Sequence, residues 1–211
     1  MRHPETHVAT QPEAGEQPDS VPTTLRDTVA FLLPGAGKAI RTGSMSVVYK
    51  VSAEWTGGAY TMHEQPVGPK VMVAPHTHAA QDQVSYVVEG ELGFLVGEEE
   101  FVAPTGSCIF RPRGVRHALW NATDKPARMI EISNPGGQFE CYFLRFGELT
   151  EAGETSQEVI HALGARYGIS YDLDKAEDLA QRYGVSSSGS WWAGPRAWQR
   201  PASVPPEERV H

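Results

Sequence analysis

The chain reads as an all-β barrel with a short helical extension on its C-terminal side. Short runs of β-type residues recur between about residues 28 and 150. Gly and Pro interrupt them at Gly57-Gly58, Gly68-Pro69, Pro104-Thr-Gly106, Pro112-Arg-Gly114 and Pro135-Gly-Gly137. Many short strands punctuated in this way build a sandwich or barrel. After Thr150 the apolar spacing changes to the helical repeat.

The 211 residues allow one domain with appendages, and a core that needs no disulfide staples. Residues 1–27 are rich in Pro, Glu, Gln and Thr and read as a flexible arm rather than a signal peptide. Residues 28–150 carry the predicted strands 45–51, 59–65, 71–78, 84–89, 92–96, 108–110, 117–120, 127–133 and 140–146. Residues 151–185 carry two predicted helices. Thr155-Ser-Gln-Glu158 has the capping-box pattern, and Val159, Leu163 and Tyr167 share a face that Gly168 ends. Leu173, Ala176, Ala180 and Tyr183 share a face of the second, over 173–183, with Gly184 as its stop. Residues 186–211 form a Ser/Pro/Gly-rich tail with Trp191, Trp192 and Trp198. It either packs on the barrel or a partner subunit, or stays free.

Composition excludes some functions. A formal net charge of −8 opposes broad binding to nucleic acid. No apolar run reaches the roughly 18 residues that a membrane helix needs. Cys108 and Cys141 read as reduced core thiols of a cytoplasmic protein, with a single disulfide between them as the alternative.

Chemistry concentrates in three histidines. His76 and His78 are two residues apart on a predicted strand, so both imidazoles point to one face. Alternation puts Met72 and Ala74 on that face as well. With His117 from another strand, the pair can enclose a divalent ion. Imidazole suits Fe, Ni, Mn, Cu and Zn alike, so the ligands do not name it.

The same residues resemble the cupin superfamily. Its second motif is matched by Gly106, Pro112, Gly114, His117 and Asn121. Its first is matched by His76, His78 and Gly90, with Gln83 where the family has Glu. The resemblance covers about residues 35–150 and implies a double-stranded β-helix, or jelly-roll, barrel. Asn134-Pro-Gly-Gly-Gln-Phe-Glu140 and the helical C-terminus are similar to small bacterial cupins of the quercetin 2,3-dioxygenase kind. That likeness implies a metal held by His76, His78, His117 and the residue at position 83, a small-molecule substrate and a homodimer.

Gln83 departs from this pattern. A carboxamide keeps one carbonyl oxygen but supplies neither the negative charge nor the base of a carboxylate. Gln83 is therefore a weak fourth ligand, or stands aside from a three-histidine site, or marks a pocket that has lost its metal. His63 and Glu131 are candidate acid/base groups, as is Glu64, and Asp82 reads as a solvated loop charge. Ser85 would line the pocket floor, and Met72, Phe94, Phe110, Trp120 and Met129 its walls. Arg111, Arg113 and Arg116 read as a solvated basic turn. The first expectation is a metal-dependent oxygenase acting on an enolizable aromatic or polyketide-like molecule. A non-redox cyclase or isomerase using a Lewis-acid metal is the second, and a non-catalytic small-molecule-binding barrel the third.

Overall fold

The computed structural model describes residues 30–42 and 45–187. The predicted arm at 1–27 and the three tail tryptophans lie outside the described residues. Eleven strands form two antiparallel sheets among these residues. The strands are β1 (Lys38–Thr42), β2 (Met45–Val51), β3 (Thr61–Val67), β4 (Met72–His78), β5 (Asp82–Glu89), β6 (Glu91–Val96), β7 (Glu99–Pro104), β8 (Cys108–Arg111), β9 (His117–Trp120), β10 (Ala127–Asn134) and β11 (Ile169–Tyr171). The first sheet runs β1-β2-β3-β10-β5-β8 and the second β11-β4-β9-β6-β7. The two inner faces oppose each other as the jelly-roll barrel that the sequence predicts.

Alternation along the strands fills one end of the barrel with apolar side chains. Val67, Val87, Phe94, Ile109, Leu119 and Met129 come from six strands of both sheets and form one buried cluster. Phe94 stacks on Phe101 at 6.0 Å. The turn that follows β9 is tied down by Asn121. Its Nδ2 donates to the carbonyls of Val67 and Lys125, and its Oδ1 accepts from the amide of Thr123.

Three helices follow the barrel: α1 (Gly137–Ala152), α2 (Gln157–Arg166) and α3 (Leu173–Tyr183). The first corrects the sequence reading, which makes 140–146 a strand. Phe139, Tyr142, Phe143 and Phe146 lie at i, i+3, i+4 and i+7, a helical stripe that the dense apolar run conceals. Glu140 anchors α1 by accepting from Ser52 Oγ at 2.9 Å and from the Ala53 amide at 2.6 Å. Gly147 lets the helix approach β1, since a Cβ there would stand 2.7 Å from Ile40 Cγ2.

The cap of α2 falls one residue later than the capping box predicts. Ser156, not Thr155, accepts from the amide of Val159. Helix α3 has the predicted bounds, and Asp172 caps it by accepting from the Lys175 amide. It covers the outer face of the second sheet, where Trp120 packs on Tyr183 with ring centroids 4.5 Å apart. Gly93 makes room for that indole, because a Cβ there would lie 2.2 Å from it. No helix among the described residues is long and apolar enough to cross a membrane.

Candidate metal centre

Strands β4 and β9 carry the three histidines. His76 and His117 are direct cross-strand partners, and His78 follows His76 on the same face. Their ring centroids lie 4.9 Å (His76–His78), 4.5 Å (His76–His117) and 5.3 Å (His78–His117) apart. One ring nitrogen from each falls within 4.8 Å of the other two. Nitrogens bound to one ion at about 2.1 Å stand roughly 3.4 Å apart in tetrahedral geometry, so small side-chain rotations close the set.

The backbone prepares these rings as ligands. His76 Nδ1 meets the carbonyl of Ala74 at 2.7 Å, and His117 Nδ1 meets that of Val115 at 3.0 Å. A carbonyl only accepts, so each Nδ1 carries the proton and each Nε2 keeps a lone pair. His117 Nε2 and both nitrogens of His78 are buried without a partner. Burial depresses all three pKa values, that of His76 to about 4, so the rings are neutral at pH 7. Unpartnered neutral imidazoles converging in a buried pocket fit a divalent metal ion.

The facing sheet supplies a charged, interlocked set. Glu131 on β10 accepts from Gln83 Nε2 at 2.9 Å through one oxygen and from Arg111 Nη2 through the other. Arg111 Nη2 also donates to Ser85 Oγ at 2.7 Å. Burial, the largest single influence, would raise the Glu131 carboxyl, but the charge and hydrogen bond of Arg111, together with His63 and His76, hold the group below the usual glutamate range. His63 Nε2 stands 3.8 Å from Glu131, beyond hydrogen-bond reach, and burial keeps its ring neutral. Because Glu131 commits the amide nitrogen of Gln83, the group left over is Gln83 Oε1, which is buried and unpartnered.

His76, His78, Gln83, Arg111 and Glu131 share a cavity of about 650 Å³. The aromatic stripe of α1 and Tyr171 on β11 also line it, with Phe139 against His78 at 4.9 Å between ring centroids. Sequence reading missed these residues, although the helical spacing of the stripe carries the signal.

Several predicted pocket walls lie elsewhere. Phe110 is 59% exposed, because β8 alternates with Ile109 and Arg111 inward and Cys108 and Phe110 outward. Cys108 is accordingly exposed rather than a core thiol, whereas Cys141 is buried. Trp120 faces α3, outside the barrel. Met72 borders the cavity, but it clusters with Leu179 and Val185 under α3 instead of sharing the histidines' face. The cause is a bulge: Val73 opposes Leu119 and His76 opposes His117, so β4 spends three residues where β9 spends two.

Phe94 and Met129 belong to the apolar core, and Ser85 lies beneath Arg111. His63 packs among Tyr49, Phe139 and Phe143. Arg111 is not part of a solvated turn, being 1% exposed, whereas Arg113 pairs with Asp82 and Arg116 with Asp172 at the surface. Glu64 bridges Lys50 and Arg128.

Fold and site together define a jelly-roll barrel with a cluster of three histidines that could hold a metal ion. Residues 63–133 match the Cupin domain family, a stretch that includes all three histidines and the Gln83–Glu131–Arg111 set, and the chain carries a cupin domain. Over 69 residues it is 32% identical to the tetracenomycin polyketide synthase protein TcmJ of Streptomyces glaucescens. That match spans 33% of this chain and 46% of the relative, so the chain spans about half the relative's length. Among solved structures, the polyketide cyclase RemF from Streptomyces resistomycificus is similar at 19% identity and a TM-score of 0.47. The match covers 52% of this chain and 82% of that one. A cupin-superfamily sugar phosphate isomerase from Silicibacter pomeroyi is similar at 23% identity and a TM-score of 0.39, covering 43% and 59%.

Proposed function

We propose that the protein is a metal-dependent, non-redox enzyme that cyclises or isomerises an enolizable aromatic or polyketide-like small molecule. The observation that carries this reading is the commitment of Glu131. The carboxylate that lines the cavity with His76 and His78 is locked between Arg111 and Gln83 and held ionised. It is not free to serve as ligand or base, which a quercetin dioxygenase-like reaction would ask of a carboxylate here. The ligands on offer, His76, His78, His117 and the Gln83 amide oxygen, are all neutral, and Arg111 offsets Glu131. These residues would hold a divalent ion without neutralising its charge, and such an ion would supply Lewis-acid polarisation of a carbonyl or enol oxygen.

The protein's own groups orient the substrate. The α1 stripe lines the cavity with aromatic rings beside the histidines, and the cavity is of the size that holds a small polycyclic molecule. In such a reaction an enol carbon bonds to a carbonyl carbon of the same molecule, the new alkoxide takes the proton released, and water leaves as the ring aromatises. No oxidant enters. The 32% identity to a polyketide synthase protein supports the substrate class.

Oxygen dependence tests the reading. Metal-replete protein should convert a poly-β-ketone substrate equally in air and under strict anaerobiosis, to a product isomeric with it or lighter by water. A strict oxygen requirement, with label from ¹⁸O₂ in the product, would restore the oxygenase reading.

A further inference from the structure

We propose that the hydroxyls of Tyr142 and Tyr171 form a second oxygen-binding subsite in the cavity. It would take a carbonyl or phenolic oxygen of a substrate whose opposite, enolic edge lies at the three histidines. This rests on the cavity being an aromatic-substrate site, and it names the substrate class more narrowly, as a ring system oxygenated at both ends.

Tyr142 and Tyr171 both border the cavity, and their hydroxyls are 2.6 Å apart. Two hydroxyls carry two protons, and their mutual bond uses one. Among the described residues neither has another hydrogen-bond partner, so one donor remains for a ligand. Neighbouring positions argue that the hydroxyls are there for contact rather than for packing. The other aromatic residues of the α1 stripe, Phe139, Phe143 and Phe146, have none, and a buried phenol lacking full partners costs stability that phenylalanine would not.

Both rings are held in place. Tyr171 stacks on His161 with centroids 4.8 Å apart and planes 9° from parallel, and Tyr142 lies parallel to Phe139. Tyr171 is also the cross-strand partner of His76, with ring centroids 5.9 Å apart. The Tyr171 ring therefore lies alongside the nearest ligand histidine, close enough for one small ring system to reach both.

The test uses the full chain freed of metal by chelation, so that binding reports on the cavity alone. The probes are 2-hydroxy-1,4-naphthoquinone, which has oxygen at both ends, and naphthalene, which has the same outline and none. The Tyr142→Phe/Tyr171→Phe double variant should lose roughly 5- to 15-fold in affinity for the quinone and keep that for naphthalene. Each single variant should lose less, because the remaining hydroxyl still has its proton. As a check that leaves the packing intact, 3-fluorotyrosine-labelled protein should show ¹⁹F resonances of 142 and 171 that move with the quinone and not with naphthalene. Equal quinone affinity in wild type and double variant, or unmoved resonances on quinone binding, overturns the subsite alone. If the wild type binds neither probe, the aromatic-substrate reading fails and takes the subsite with it.

Discussion

The two ends of the barrel are built by the same strands and obey opposite chemistry. At the closed end the inward residues are Val87 on β5, Leu119 on β9, Met129 on β10 and Ile109 on β8. Two residues along each strand the same inner face carries Ser85, His117, Glu131 and Arg111, all buried. The closed end is satisfied by packing. The open end leaves imidazole nitrogens, an amide oxygen and a guanidinium nitrogen without partners. Stability is invested at one level of the barrel, and reactive capacity is held at the next.

The largest separation should come from core truncation. Phe94→Ala should cost about 3–5 kcal/mol in urea unfolding and leave the metal content of the folded fraction unchanged. His78→Ala should do the reverse. Metal affinity should fall at least about 100-fold, while the metal-free melting temperature holds or rises, because a buried unpartnered imidazole is removed. If both variants changed both quantities alike, the division between the ends would fail.

Breaking the charged set should be nearly as costly. Glu131→Ala leaves Arg111 buried and uncompensated, a loss of about 3–5 kcal/mol, and frees the Gln83 amide. The double substitution Glu131→Met/Arg111→Met should recover most of it. Chemical denaturation of the single and double variants decides whether the pair serves stability or the site.

A smaller effect is expected on the outer surface, away from either end. Glu100 accepts from Arg182, Tyr183 and Lys175, and those bonds lower its pKa to about 2 from 4.5. A depressed folded-state value stabilises the protein above pH 4.5, and this is lost as the pH falls toward 2. After allowance for solvent screening the contribution is about 1–2 kcal/mol. Melting curves between pH 6 and pH 3 should flatten in Glu100→Gln, and unchanged pH dependence would contradict the assignment.

The sequence made the centre legible because its signals are local and redundant. His76 and His78 repeat at the strand period, and His117 sits in a motif of turn residues. Helix α3 was legible in its apolar spacing and its Gly184 stop. The errors have physical causes that single-strand reading lacks. One bulged residue between Val73 and His76 turned Met72 away from the histidines. The short strand β8 carries no signal for which of Phe110 and Arg111 faces inward, and a charge on a strand ordinarily faces solvent. Aromatic residues crowded after β10 fit a strand as well as a helix until their four-residue spacing is weighed. The partnership of Gln83 with Glu131, 48 residues away, has no signature in the chain at all.

Elemental analysis of the purified protein tests the central claim most directly. After metal-replete expression and extensive dialysis, the wild type should hold about one divalent ion per chain, Gln83→Glu should bind it more tightly, and His78→Ala should hold none. A wild type that folds normally and retains no metal would contradict the account.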